Sequence, residues 1–204
     1  MVNNRPLVFA LTFFGYASIH ILREGWSYSK SELEEQFDVP KRTLGWVDAA
    51  FLFCYTSGMA VLGTFNHLLP LKTYIILGLT ICSLSFMSWS VTYHFSHHLS
   101  IPFIFVAMAV NGFFQATGRP GFIAVMGNWF SKQKKSLLMG LWAMNANFGN
   151  LTALIVCNIL ENYNCSWIIN FVVTGCFALF VVAMILLFLK DKPPVQTDEE
   201  AGLK

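Results

Sequence analysis

The chain has 204 residues, of which 55% are hydrophobic, 16% aromatic and 12% charged, with a net charge of +2. Soluble domains carry about 25% charged residues, so this composition excludes an ordinary water-soluble domain. The small net charge, with no basic run longer than Lys132-Gln133-Lys134-Lys135, excludes nucleic acid as a partner. The five cysteines form no CxxC pair, which argues against a disulfide framework or a zinc site.

Six apolar stretches occupy most of the length: residues 7–22, 44–65, 74–91, 101–118, 137–160 and 167–189. Each approaches or exceeds the roughly 20 residues a helix needs to cross about 30 Å of hydrocarbon. Lipid leaves only helices and closed barrels as spanning structures, and continuous apolar runs lack the alternation of barrel strands. The reading is an all-α, integral membrane six-helix bundle over residues 1–190, followed by a polar tail over 191–204.

The first stretch follows Arg5 as a signal peptide would, but it lacks a small-residue cleavage site and ends in Arg23-Glu24. It reads as the first membrane helix. Phe13, Tyr16, His20 and Arg23 follow at spacings of 3, 4 and 3, so they share one face. If the helix continues past Leu22, Arg23 lies inside the bundle, where its planar fork of donors matches phosphate. If it stops, Arg23 snorkels to the interface. Residues 29–41 are mixed and acidic, a loop or a short amphipathic helix ending before Pro40. Asp48 opens the second span as a cap, the simpler reading, or as a partner for a base. His94, His97 and His98 follow the third span and read as an interfacial cluster rather than a metal site.

In the fourth span Asn111, Gln115 and Arg119 recur every four residues. Gly118 and Pro120 flank Arg119 and predict a thin, kinked helix. A charge beside such an irregularity suggests a lined cavity; the alternative is Arg119 paired with Asp48 or a backbone carbonyl. In the fifth span Trp142, Asn145 and Gly149 share a face, with Asn147 and Asn150 on the next. These asparagines either join helices or face a solute. Asn164-Cys165-Ser166 matches a glycosylation acceptor but lies too near the bilayer for easy modification. Arg5, Lys72, Lys132, Lys134, Lys135, Lys190, Lys192 and Lys204 fall on the side of the termini, against Lys30, Lys41 and Arg42 opposite. That excess places both termini in the cytoplasm or its equivalent. No nucleophile–base–acid set, phosphate-binding glycine loop or metal-ligand spacing occurs, so no enzyme, cofactor or metal is expected.

Taken together these residues resemble the sugar-phosphate exchanger branch of the major facilitator superfamily, the organophosphate:phosphate antiporters. The resemblance rests on Asn111-Gly112-x-x-Gln115-x-Thr117-Gly118-x-Pro120, Gly127-Asn128-Trp129-Phe130, Met139-Gly140-Leu141-Trp142 with Gly149-Asn150, Trp46-Val47-Asp48-x-Ala50-Phe51-Leu52, and Tyr16-x-x-x-His20-x-x-Arg23. It implies a helical bundle around a solute cavity, with Arg23 matching the family's phosphate-binding arginine, and electroneutral exchange of one oxyanion for another. With the polar residues read above, the expected substrate contacts are Arg23, His20, Tyr16, Arg119, Gln115, Asn111 and Asn145, with Asp48 and Glu24 as gating or structural charges. The resemblance also implies residence in the endoplasmic reticulum, with the mitochondrial inner membrane as the alternative.

The pattern departs from the family in several places. Members have twelve helices in two halves, and this chain matches the first, so the cationic partner from the second half is absent. Glu24 adds a negative charge beside Arg23. Arg119 replaces a tryptophan between Gly118 and Pro120. Asn145 and Ala146 stand where a cavity histidine is expected, and the stretch from Gly63 to Lys72 lacks the acid–arginine latch. Two functions follow as expectations. One is a half-length, sugar-phosphate/phosphate antiporter-like transporter that depends on a partner. The other is a transport-inactive structural subunit of a larger membrane complex. In either, membrane lipids, a second copy or another membrane protein covers the cavity face, and phosphate or a sugar phosphate is the candidate ligand.

Overall fold

The computed structural model describes residues 4–96, 100–130, 132–163 and 165–193. His97, His98, the side chains of His94 and of Lys132 to Lys135, Asn164 of the acceptor tripeptide and the tail from Pro194 onward lie outside the described residues. The described residues form eight α-helices: α1 (Arg5–Phe37), α2 (Lys41–Phe65), α3 (Leu71–Ser96), α4 (Ile101–Gln115), α5 (Gly118–Trp129), α6 (Lys132–Ala143), α7 (Asn145–Asn162) and α8 (Trp167–Phe188), with a 3₁₀ turn at Asn66–Leu68. Six units among them are long and apolar enough to cross a membrane, since α4 and α5 form one broken span and α6 and α7 another. The chain is an integral, multi-pass, all-α membrane protein.

The first span corrects the sequence reading. No loop intervenes after Leu22: α1 runs unbroken for 33 residues, about 50 Å at 1.5 Å per residue. Residues 24–36 contain neither proline nor an adjacent turn pair to stop it, and Pro40 excludes helical geometry only at Val39. The helix ends where Asp38 takes a left-handed conformation, φ 53°, a region aspartate tolerates. The Val39 amide then reaches back to the Leu33 carbonyl at 3.3 Å, and both side chains enter the core.

The fourth span breaks as Pro120 demands. Proline has no N–H for the carbonyl four residues earlier and its ring clashes with that group; that residue is Ala116, where α4 ends. Thr117 satisfies local acceptors instead, its amide and its hydroxyl both donating to the Phe114 carbonyl, at 3.1 and 2.9 Å. In the fifth span, the Asn145 side-chain amide donates to the Trp142 carbonyl and the Met144 amide to Leu141 at 3.2 Å. A side chain competing for backbone groups explains the interruption.

Close helix approach depends on glycine. A Cβ on Gly112 of α4 would lie 2.3 Å from the Phe51 carbonyl oxygen of α2, and one on Gly58 of α2 would lie 2.3 Å from that of Phe113. The reciprocal notches explain the extensive α2–α4 interface. At the other end, the Asp191 carboxylate accepts from the Lys72 amide at 2.7 Å, and Trp129 Nε1 donates to the Lys190 carbonyl at 2.8 Å. These bonds tie the end of α8 to α3 and α5.

Candidate functional site

Because α1 does not stop, Arg23 stands mid-helix. Tyr16 and His20, one turn apart, meet edge to face with ring centroids 5.1 Å apart. The Arg23 guanidinium lies 5.4 Å from the Phe51 ring centroid of α2, within cation–π range. From the other side α5 delivers Arg119. Its neighbour Gly118 packs so tightly on α1 that a Cβ would fall 2.3 Å from Ile19 Cδ1 and 3.6 Å from the Tyr16 ring. Arg119 therefore follows a glycine seated against Tyr16, and Arg23 lies two turns beyond Tyr16 on α1. Both arginines are exposed, and neither is in an ion pair among the described residues.

Two more side chains join this face. Tyr55 of α2 stacks at 6.3 Å on Phe51, the ring that Arg23 faces. Asn150 of α7 is brought beside His20 by the tight seat of Gly149 on α1: a Cβ on Gly149 would lie 2.5 Å from the Ala17 carbonyl oxygen and 2.8 Å from His20 Cβ. Tyr55 carries no charge and lies in an apolar run, so only its four-residue spacing from Phe51 marks it in the sequence.

Other expected site residues lie elsewhere. Asn111 and Gln115 precede the break in the fourth span, and Arg119 follows it, so the three do not form one exposed stripe. Asn111 is 1% exposed and donates to the Cys82 carbonyl of α3 at 2.9 Å. Gln115, 5% exposed, donates to Asn111 Oδ1 at 3.4 Å. Asn145 is 1% exposed, with its amide committed to Trp142, whose ring stacks on Tyr16 at 5.3 Å. Glu24 pairs with neither arginine among the described residues.

Asp48 corrects the capping expectation. Helix α2 begins two turns earlier, at Lys41, so Asp48 is internal. One carboxylate oxygen accepts from Lys30 Nζ at 2.6 Å and the other from Trp26 Nε1 at 2.7 Å. This polar clasp joins the extended half of α1 to α2 and exists only because α1 reaches that far. Its side chains are 29% and 38% exposed for Lys30 and Asp48, so solvent moderates the pair. Asp48→Ala should lower stability by about 1–2 kcal/mol, read from thermal unfolding in detergent. Replacing both Lys30 and Asp48 by apolar residues should recover part of the loss, because no half-buried charge is then left alone.

Six spans, two of them interrupted beside polar groups, define a multi-pass helical membrane bundle. The chain belongs to the major facilitator superfamily, whose family profile matches residues 8–203. It is 31% identical to a putative glycerol-3-phosphate transporter of Arabidopsis thaliana, the match covering 97% of this chain and 41% of that protein. It is 30% identical to a glucose-6-phosphate exchanger of Homo sapiens, covering 93% of this chain and 42% of the relative. A bacterial homologue of the human lysosomal transporter Spinster, solved in an inward-facing, unoccupied conformation, superposes with a TM-score of 0.80 at 13% identity, over 96% of this chain and 45% of that one. The chain thus spans less than half the length of these relatives. The relatives are transporters and exchangers, not enzymes.

Proposed function

We propose that this bundle forms one wall of an oxyanion vestibule in a sugar-phosphate/phosphate antiporter-like transporter, and that a second membrane protein or second copy supplies the facing wall. The observation that carries the reading is that Arg119 follows Gly118, seated against Tyr16, while Arg23 lies two turns beyond Tyr16 on the same helix, neither in an ion pair among the described residues. Two guanidinium groups present donors in the geometry phosphate accepts, and a phosphate dianion crossing lipid needs such a substitute for its hydration. The apolar faces of α2 and α7, with Phe53 74% and Leu151 59% exposed, suit a helical partner. On the family resemblance and the cation count, the protein resides in the endoplasmic reticulum with both termini cytoplasmic.

A non-transporting role as a structural subunit has one observation in its favour: Asn145, an expected substrate contact, is buried with its amide committed to the Trp142 carbonyl. Counterflow of labelled phosphate into phosphate-loaded liposomes tests the choice, using the chain purified with whatever accompanies it at fixed stoichiometry. Exchange that accelerates with internal phosphate or glucose 6-phosphate supports the transporter. A stable complex without counterflow supports the structural subunit.

A further inference from the structure

Arg23 and the clasp around Asp48 line one recess. On α1, Arg23, Ser27 and Lys30 follow at spacings of 4 and 3 and share a face. Opposite them α2 presents Asp48 and Phe51, about one turn apart. A cavity of about 150 Å³ lies between, lined by Arg23, Trp26, Ser27, Lys30, Asp48 and Phe51, among others. That volume is below the roughly 300–1,000 Å³ of sites that enclose a drug-sized molecule. The recess therefore suits one small group, such as a phosphate, with any attached sugar outside it. Its charges do not balance: Arg23 and Lys30 face a single carboxylate. Lys30 is held by Asp48 at 2.6 Å, whereas Arg23 is exposed and has no ion pair among the described residues. An anion supplies the missing charge.

The clasp is built so that one of its bonds can open. Asp48 accepts from Trp26 Nε1 through one oxygen and from Lys30 Nζ through the other. The Trp26 bond can hold the carboxylate after Lys30 leaves it. Solvent reaches both Lys30 and Asp48, and ion pairs of that kind are weak. Helical side chains lean toward the helix N-terminus, so Lys30 leans back along α1 toward Arg23, two turns earlier. Its ammonium is a flexible point charge with three donors. A phosphate monoester carries about −1.5 to −2 charges at pH 7, against the single charge of Asp48. A phosphate seated on the Arg23 fork is therefore the stronger partner for Lys30.

We propose that Lys30 is a second oxyanion contact in this recess, and that Asp48 holds Lys30 until phosphate arrives, as a built-in competitor. The inference rests on the proposed oxyanion vestibule and adds to it a binding residue and a regulatory contact. The test titrates inorganic phosphate by calorimetry into the full chain in phosphatidylcholine nanodiscs, purified with whatever accompanies it. Asp48→Asn keeps an acceptor for Trp26 and releases Lys30, so it should bind phosphate about tenfold more tightly than wild type. Removing a negative charge strengthens anion binding by itself, so the deciding step repeats the substitution in Lys30→Gln. There the gain should shrink to about twofold or less, because the two residues act through one bond. Circular dichroism checks folding, and Lys30→Met replaces Lys30→Gln if the latter does not fold. Phosphatidic acid added to the nanodisc separates two sources of the oxyanion: unchanged affinity assigns the recess to free phosphate, and weaker apparent affinity shows a lipid phosphate competing for it. Phosphate binding that requires Arg23 but is equal in wild type and folded Asp48→Asn overturns the inference and leaves the vestibule standing. So does an equal gain with and without Lys30. No saturable phosphate binding by wild type or Asp48→Asn overturns both.

Discussion

Arg23→Ala should bring phosphate counterflow to the background of empty liposomes, while Arg23→Lys retains a measurable fraction. Arg23 sits mid-helix on α1, exposed and without an ion pair among the described residues. Each hydrogen bond to a charged group contributes about 1.5–3 kcal/mol, so losing a bidentate guanidinium–phosphate pair should weaken oxyanion binding by about 10² or more. Lysine keeps the charge but not the fork. Arg119→Ala should weaken binding comparably, since Gly118 seats the start of α5 against Tyr16, two turns from Arg23 on α1. The double variant should lose less than the sum of the single losses if both arginines hold one phosphate, because neighbouring sites are not additive. Counterflow that survives Arg23→Ala at the wild-type rate would remove the basis of the proposed vestibule.

The second large effect concerns folding. Gly112→Leu should abolish recovery of a monodisperse protein, because the side chain would begin 2.3 Å from the Phe51 carbonyl oxygen. That obstacle is backbone, which no rotamer change can move aside. Overpacking typically costs about 1–3 kcal/mol, occasionally more, and here it would wedge apart the extensive α2–α4 interface. Gly140→Ala is the control. No atom beyond its own helix lies within 4 Å of a Cβ there, and alanine is favoured over glycine in a helix by about 1 kcal/mol. Its melting temperature should stay level or rise. Size-exclusion profiles and thermal unfolding in one detergent read both variants.

Membrane spans are legible in a sequence because lipid imposes a local rule: every residue in the hydrocarbon pays for its own polarity. The six spans, the all-α class and the kink beside Pro120 follow from such local facts. Helix length was less legible. The polar, acidic segment beyond Arg23 reads as loop, yet α1 continues through it to Phe37, because Trp26, Leu33 and Val39 bury there against α2, α3 and α4. The clasp from Lys30 and Trp26 to Asp48 adds to that docking. The pairing of Asp48 with Lys30 therefore depends on a helix extension that composition argues against.

Polar residues divide along the same line. Their presence within spans is plain from the chain, but their direction is not. Asn111, Gln115 and Arg119 look equivalent at four-residue spacing. The break at Ala116 and Thr117 separates them, leaving two amides in the α3–α4 seam and one guanidinium exposed beside Tyr16. Asn150 joins the site because Gly149 lets α7 close on α1, and Tyr55 because it stacks on Phe51, the ring that Arg23 faces.

What the sequence determined by itself was the solvent this protein lives in, its six spans, its superfamily resemblance and the arginines that single it out. Hydropathy, proline chemistry and motif order act over one or two helical turns and need no third dimension. Only the tertiary structure decided which polar groups meet: Arg119 beside Tyr16, Asp48 with Lys30, and both of these with Arg23 around one recess. Those meetings depend on how helices distant in sequence pack and where each one breaks, and no local pattern encodes the angle at which two helices cross.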